Sequence, residues 1–352
     1  MGKDVDLFAD FTDTRPWDSG INHGELKPLT RPANLSQALK ILKELDEYDR
    51  ILIHHHVEPI LAYLISKYLK KKVDWYSGSI FEAAYSNLLY GEDYKKVSVT
   101  LEETTRSFYG KYVGTLGLSV YSASKIALKI LDLMTVRNFR KIYANSRYQS
   151  RYLKNVYNRD SKVVYPPLEE MRRSSLPFDF GTPYVLMAGA FVYYKNFETG
   201  IRAMEGIRNS HVLVIAGSGP LKKKYEEAAR KLGVKLHISY GESDGVMHAL
   251  YEGASFVMHP SLFEGFGYIS AEAALHRKPT ILTTHSGVAE FFNNGESAYI
   301  CDPHDIALMK EYVWSMANDQ VSTEKMGSRA HDVICGLCGD TQSRELWNEL
   351  EG

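Results

Sequence analysis

The 352-residue chain contains no run of eighteen apolar residues, so nothing in it predicts a span across a bilayer. Its opening residues, Met1-Gly2-Lys3-Asp4, lack the apolar core of a secretory signal. Only three cysteines occur, too few for a convincing disulfide framework, which fits a reducing cytoplasm. Cys335-Gly-Leu-Cys338 is a single CxxC, with His331 and Cys301 as further candidate ligands. One such pair without a second is a weak zinc signal, so two buried helix cysteines are expected instead. No internal repeat and no low-complexity tract interrupts the sequence. The net charge of −1 says nothing about partners.

The distribution of charge says more. From Thr104 to Leu168 there are twelve Lys/Arg against two acids, Asp132 and Asp160. Tyr109, Tyr112, Tyr121, Phe139, Tyr143, Tyr148 and Tyr152 are interleaved with those cations. A solvated helical face, a nucleic-acid surface and a face for anionic lipid headgroups all fit such a strip. No nucleic-acid-binding motif accompanies it, so nucleic acid is not an expected partner.

A chain of 352 residues exceeds one ordinary core and predicts two domains. From Thr182 onward, apolar runs at 184–188, 211–216, 235–239, 255–258, 279–283 and 298–301 alternate with amphipathic stretches at 197–207, 221–232 and 243–253. That alternation predicts a parallel, doubly wound α/β sheet with ligands outside the strands' C-terminal ends. The first half follows the same logic less regularly. Strands are expected at 5–8, 50–53, 73–76 and 141–144, and a helix at 59–70. Pro166-Pro167 keeps the following linker extended, and the cleft between the halves is the default active site.

The most informative stretch is His259-Pro-Ser-Leu-Phe-Glu264-Gly265-Phe266-Gly267-Tyr268-Ile-Ser-Ala-Glu272-Ala273. Two carboxylates stand eight residues apart around a Gly-Phe-Gly turn. With a strand before and a helix over 269–276, Glu264 falls at the strand's C-terminal end and Glu272 about a turn and a half into the helix. Gly265 and Gly267 leave the helix N-terminal amides unobstructed, which suits a phosphate or a sugar hydroxyl. An ordinary strand-turn-helix has little need of that combination.

This text resembles the Glu-x7-Glu signature of retaining glycosyltransferases of the GT-B fold, family 4 and its mannosyltransferase-like branch in particular. Ala144-Asn-Ser-Arg147 with Val163-Val-Tyr-Pro-Pro167, Tyr194-Lys195-Asn196 after Met187-Ala-Gly189-Ala190, and Ala216-Gly217-Ser-Gly-Pro220 extend the likeness. So do Ser286-Gly-Val-Ala-Glu290 and Cys301-Asp-Pro-His-Asp305. The resemblance implies two Rossmann-like doubly wound domains facing across a cleft, residues 1–172 and 173–352, the first reduced and the last helix crossing back. It implies catalytic roles for Lys195, on a donor diphosphate, and for Glu264, on sugar hydroxyls. The amides of Gly265, Phe266 and Gly267 would meet phosphate and sugar, Glu272 the ribose, and Tyr240 the base. Gly189, Asn196, Gly217 and Tyr268 would complete the substrate-binding set, with His56 of His54-His55-His56 reaching the cleft. The implied donor is a UDP- or GDP-sugar, with no cofactor and no metal required. The implied acceptor is a glycan or lipid-linked sugar, met in polysaccharide biosynthesis at the inner face of a membrane.

Three departures accompany the likeness. The chain opens on what reads as the family's second strand, so its first strand-helix unit and glycine-rich loop are expected to be missing. Ala190 stands where an arginine precedes the phosphate lysine by five residues, and Ser77-Gly78-Ser79 replaces a cleft histidine. They leave open a non-catalytic subunit that binds a sugar nucleotide beside an active glycosyltransferase, or a homo-oligomer.

Overall fold

The structure is a computed structural model that describes residues 8–9, 27–28, 35–54, 59–69, 72–77, 129–168, 178–239, 244–339 and 341–351. In the first half the elements are β1 (Phe8–Ala9), β2 (Lys27–Pro28), α1 (Leu35–Asp46), β3 (Ile51–His54), α2 (Pro59–Tyr68) and β4 (Val73–Ser77). A helix over 129–138 (α3) leads into β5 (Ile142–Ala144), α4 (Arg147–Tyr157) and β6 (Lys162–Val163). Strands β3-β4-β5-β6 form one parallel sheet in that order. Fully buried Asp74 ties it together: Arg140 grips both carboxylate oxygens at 2.9 and 2.5 Å, and the Lys141 amide adds 3.0 Å. A bidentate fork with a third donor supplies what a buried carboxylate needs. Of the strand expected at 5–8, residues 5–7 lie outside the described residues; Phe8 belongs to β1, which pairs with β2 in a separate two-stranded sheet. At two residues including a proline, β2 offers no apolar run to read.

The second half contains β7 (Tyr184–Ala188), α5 (Phe197–Ala203), β8 (Val212–Ala216), α6 (Lys222–Leu232), β9 (Leu236–Ser239), α7 (Asp244–Gly253), β10 (Phe256–His259) and α8 (Tyr268–Leu275). It continues through β11 (Thr280–Thr283), β12 (Tyr299–Cys301), α9 (Ile306–Asn318), α10 (Gln320–Cys335) and α11 (Thr341–Glu351). Its six strands are parallel in the order β12-β11-β10-β7-β8-β9. Read from β9, this is the Rossmann order 3-2-1-4-5-6, whose crevice opens between the first and fourth strands. Here those are β7 and β10, both buried along their length, which explains their continuous apolar text.

Among the described residues the halves meet around the signature loop and at the returning last helix. They also meet where Arg147 N donates to Glu290 Oε1 at 3.2 Å and Tyr165 packs edge-on against Phe291. Phe263, just before Glu264, sits among first-half aromatics at 5.6 Å from Tyr148 and 5.0 Å from Tyr152, ring centre to ring centre. It belongs with Leu262 to the cluster built on Trp75, Phe139, Ile142 and Leu153, against which Tyr193 and Tyr194 also pack. Beside it the Ser146 hydroxyl donates to the Gly265 carbonyl at 2.5 Å while accepting the Gln149 amide at 2.9 Å, capping α4. At the other face α11 returns to the first sheet. Leu346 packs with Tyr76, Tyr143 and Val164, and Lys162 reaches Glu345 and Glu349 at 3.1 and 2.9 Å.

That return corrects the reading of the cysteines. Cys335 is the last residue of α10 and Cys338 lies in the turn beyond it, both half-buried. The helix has to stop there for the chain to turn back, and Cys338 bridges Leu168. His331 Nε2 lies 3.3 Å from the Cys335 sulfur, but among the described residues no group of three His, Cys, Asp or Glu could hold a metal. Much of the basic strip is likewise absorbed. Arg140, Lys154 and Lys162 pair with acids, and Arg159 donates to the carbonyls of Val136, Arg137 and Phe139. The strip's residues 104–128 lie outside the described residues.

Candidate functional site

The crevice between β7 and β10 collects the signature side chains. Beyond β7 the chain turns at Gly189 and runs beside Gly217, where a Cβ would stand 2.0 Å from the Gly189 carbonyl oxygen, so only glycine fits. A short 3-10 turn, Tyr193–Lys195, then places Lys195, whose stem lies over Gly189. Asn196 follows in a left-handed conformation (φ 53°). Its amide donates to the Pro260 carbonyl at 3.0 Å and accepts from Thr199 at 2.8 Å, fastening the lysine turn to the signature loop.

From the other side β10 delivers His259 and, five residues on, Glu264. Glu264 Oε2 receives Lys195 Nζ at 2.5 Å and faces His259 Nε2 at 3.3 Å, while His259 Nδ1 meets the Ser270 hydroxyl at 3.0 Å. Burial alone would raise the Glu264 carboxyl. Lys195 and His259 outweigh it and hold the group at about 2. It is therefore ionised across the neutral range, yet its side chain keeps 20% exposure and Lys195 keeps 12%. A ligand can reach both.

The loop after Glu264 is fixed through its carbonyls and not its amides. Gly287 N donates to Glu264 O at 3.0 Å and Val288 N to Phe266 O at 2.6 Å. Among the described residues, none accepts a hydrogen bond from the amides of Gly265, Phe266 or Gly267. Gly267 has φ 106°, and a Cβ there would lie 2.4 Å from Ser286 Oγ. Its lack of a side chain thus serves packing as well as ligand access. Phe266 is buried among Ala271, Leu282 and Val288, leaving only its backbone for the site. Tyr268 opens α8 with 43% exposure, its ring edge-on to Phe266. One turn later Glu272 Oε2 accepts the Tyr251 hydroxyl at 2.8 Å.

Lys195, Glu264, Gly189 and the 265–267 loop thus share one end of the crevice, with Tyr268 and Glu272 on the adjoining helix. Tyr240 and His56 lie outside the described residues. Ser77, where the histidine of the resembled family would be sought, is fully buried and accepts the Gln149 amide at 3.0 Å. Sequence reasoning overlooked His259 and Tyr251. His259 had one signal, a polar residue closing a strand five places before the first carboxylate.

Two Rossmann-like sheets facing one another, with this crevice in the second, define an α/β protein of the GT-B glycosyltransferase architecture. Residues 169–333 match the family model of glycosyl transferases group 1. An uncharacterized glycosyltransferase of Methanocaldococcus jannaschii is 23% identical over 340 residues, spanning 87% of this chain and 79% of its own. Sucrose-phosphate synthase from Thermosynechococcus elongatus has a similar structure, with a TM-score of 0.69 at 16% identity over 98% of this chain and 88% of its own. The Anabaena protein HepE, solved in complex with UDP-glucose, gives 0.69 at 16% identity over 93% and 86%.

Proposed function

We propose that the protein transfers a sugar from a nucleotide-sugar to a glycan or lipid-linked acceptor with retention of configuration, as family 4 enzymes of this fold do. One observation carries the reading: Lys195 and Glu264 meet at the crevice mouth beside three amides that bond to no described residue. A departing nucleoside diphosphate develops negative charge, and a fixed ammonium with oriented N–H groups stabilises such charge where it forms. The diphosphate would draw Lys195 from Glu264, and His259 would keep the freed carboxylate aimed at the sugar hydroxyls. With Lys195 as the cation at the departing diphosphate, this reading calls for no metal. Glu272 would accept the ribose hydroxyls. Exposed Arg147 and Arg151 on α4 and the seam with the first sheet favour an acceptor entering from that half, at the inner face of a membrane.

Incubating the purified protein with UDP-, GDP- and ADP-sugars tests this. Slow hydrolysis of at least one donor is expected, with a loss of about 10²- to 10³-fold in Glu264→Ala, the scale of removing one electrostatic contact at a reacting centre. Ala190, in place of an arginine, favours one other outcome: nucleoside diphosphate binding without turnover, which would make the protein a non-catalytic sugar-nucleotide-binding subunit.

A further inference from the structure

Tyr251 does nothing in the reaction as described, yet its placement is specific. It lies on α7, 1% exposed, and its hydroxyl donates to Glu272 Oε2 at 2.8 Å. Its ring is stacked on His276, with centres 5.4 Å apart and planes 16° apart. The His276 ring is itself held, since its Nε2 lies 3.0 Å from His248 Nδ1. A buried phenol stacked on a ring that is itself held has little freedom to leave the carboxylate. Burial, then Glu272, push its own ionisation well above the ordinary tyrosine range, so it stays a neutral donor. An ionised carboxylate is an acceptor only, and pinning one oxygen fixes the direction in which the group as a whole accepts.

We propose that Tyr251 is a positioning residue that orients Glu272 toward the donor's ribose diol, and so makes the site select ribonucleotides over 2′-deoxyribonucleotides. The inference rests on the donor-site reading and deepens it. A sugar diol offers two hydroxyls at fixed separation, and a carboxylate gains from both only when its plane is set in advance. A carboxylate left to rotate would spend part of that gain on ordering itself. The 2′-deoxy ligand lacks one of the two hydroxyls, so it profits little from the orientation.

The test is calorimetric titration of UDP, GDP and ADP, and of their 2′-deoxy counterparts, into the full-length protein and Tyr251→Phe. The substitution removes one oxygen, conserves the ring stack, and its folding is checked by melting temperature. Wild type is expected to prefer the ribonucleotide. The variant is expected to bind it roughly tenfold more weakly, within the range for hydrogen bonds to charged groups, with the deoxy ligand almost unaffected. In a Glu272→Gln background, Tyr251→Phe should add nothing. Equal weakening of both ligands, or none, would overturn the role of Tyr251 while leaving the donor site standing. A wild type that binds none of the three ribonucleotides would overturn the donor-site reading and this inference together.

Discussion

The two halves are held together differently. The second half builds its own interior: three apolar clusters on the two faces of its six-stranded sheet, drawn almost wholly from its own residues. The first half borrows. Its main described cluster is completed by Leu262 and Phe263 of the signature loop, with Tyr193 and Tyr194 of the lysine turn packed against it. Its opposite face is completed by Leu346 of the returning helix. The borrowed residues adjoin the reactive ones, since Phe263 precedes Glu264 and Tyr194 precedes Lys195. Contact between the halves is therefore contact with the site.

The strongest way to break that comparison is Phe263→Ala. Removing a buried phenylalanine typically costs about 3–5 kcal/mol. Here the loss should fall on the borrower. Hydrogen exchange is expected to quicken at Trp75 and Ile142 in the first sheet far more than at Val185 and Leu213 in the second. Equal effects on both sheets would show that the first half does not depend on the loop.

A smaller effect concerns charge. The Glu264 carboxyl sits at about 2, below its ordinary 4.5, because Lys195 and His259 outweigh burial. A carboxyl lowered by folding stabilises the fold above its unfolded value, and the contribution is lost as pH falls from about 4.5 toward about 2. Urea midpoints should therefore fall more steeply over that window for wild type than for Glu264→Gln. Parallel curves would mean that the Lys195–Glu264–His259 arrangement adds nothing to stability in solution.

The same contrast explains what was legible in the sequence. The central strands of the second half are buried on both faces, so Tyr184–Ala188 and Val212–Ala216 stand out as unbroken apolar runs. Glu264 and Glu272 were legible because strand, turn and helix fix their spacing locally. What escaped was tertiary. Nothing near Phe263 in the chain announces Tyr148 and Tyr152, more than a hundred residues earlier. Tyr251 looks like any core aromatic of an amphipathic helix until α8 brings Glu272 to its hydroxyl. Cys335-Gly-Leu-Cys338 reads as helix, and only the need to carry α11 back to the first sheet explains the turn there.

The most direct measurement is the affinity of the full-length protein for UDP and GDP, with Lys195→Met as the comparison. The expected result is saturable binding of at least one nucleoside diphosphate by wild type, weakened at least tenfold when the ammonium is lost, on the scale of a charge-assisted contact. Binding that is indifferent to Lys195, or no binding of either nucleotide, would contradict the placement of a nucleotide-sugar at the mouth of the β7–β10 crevice.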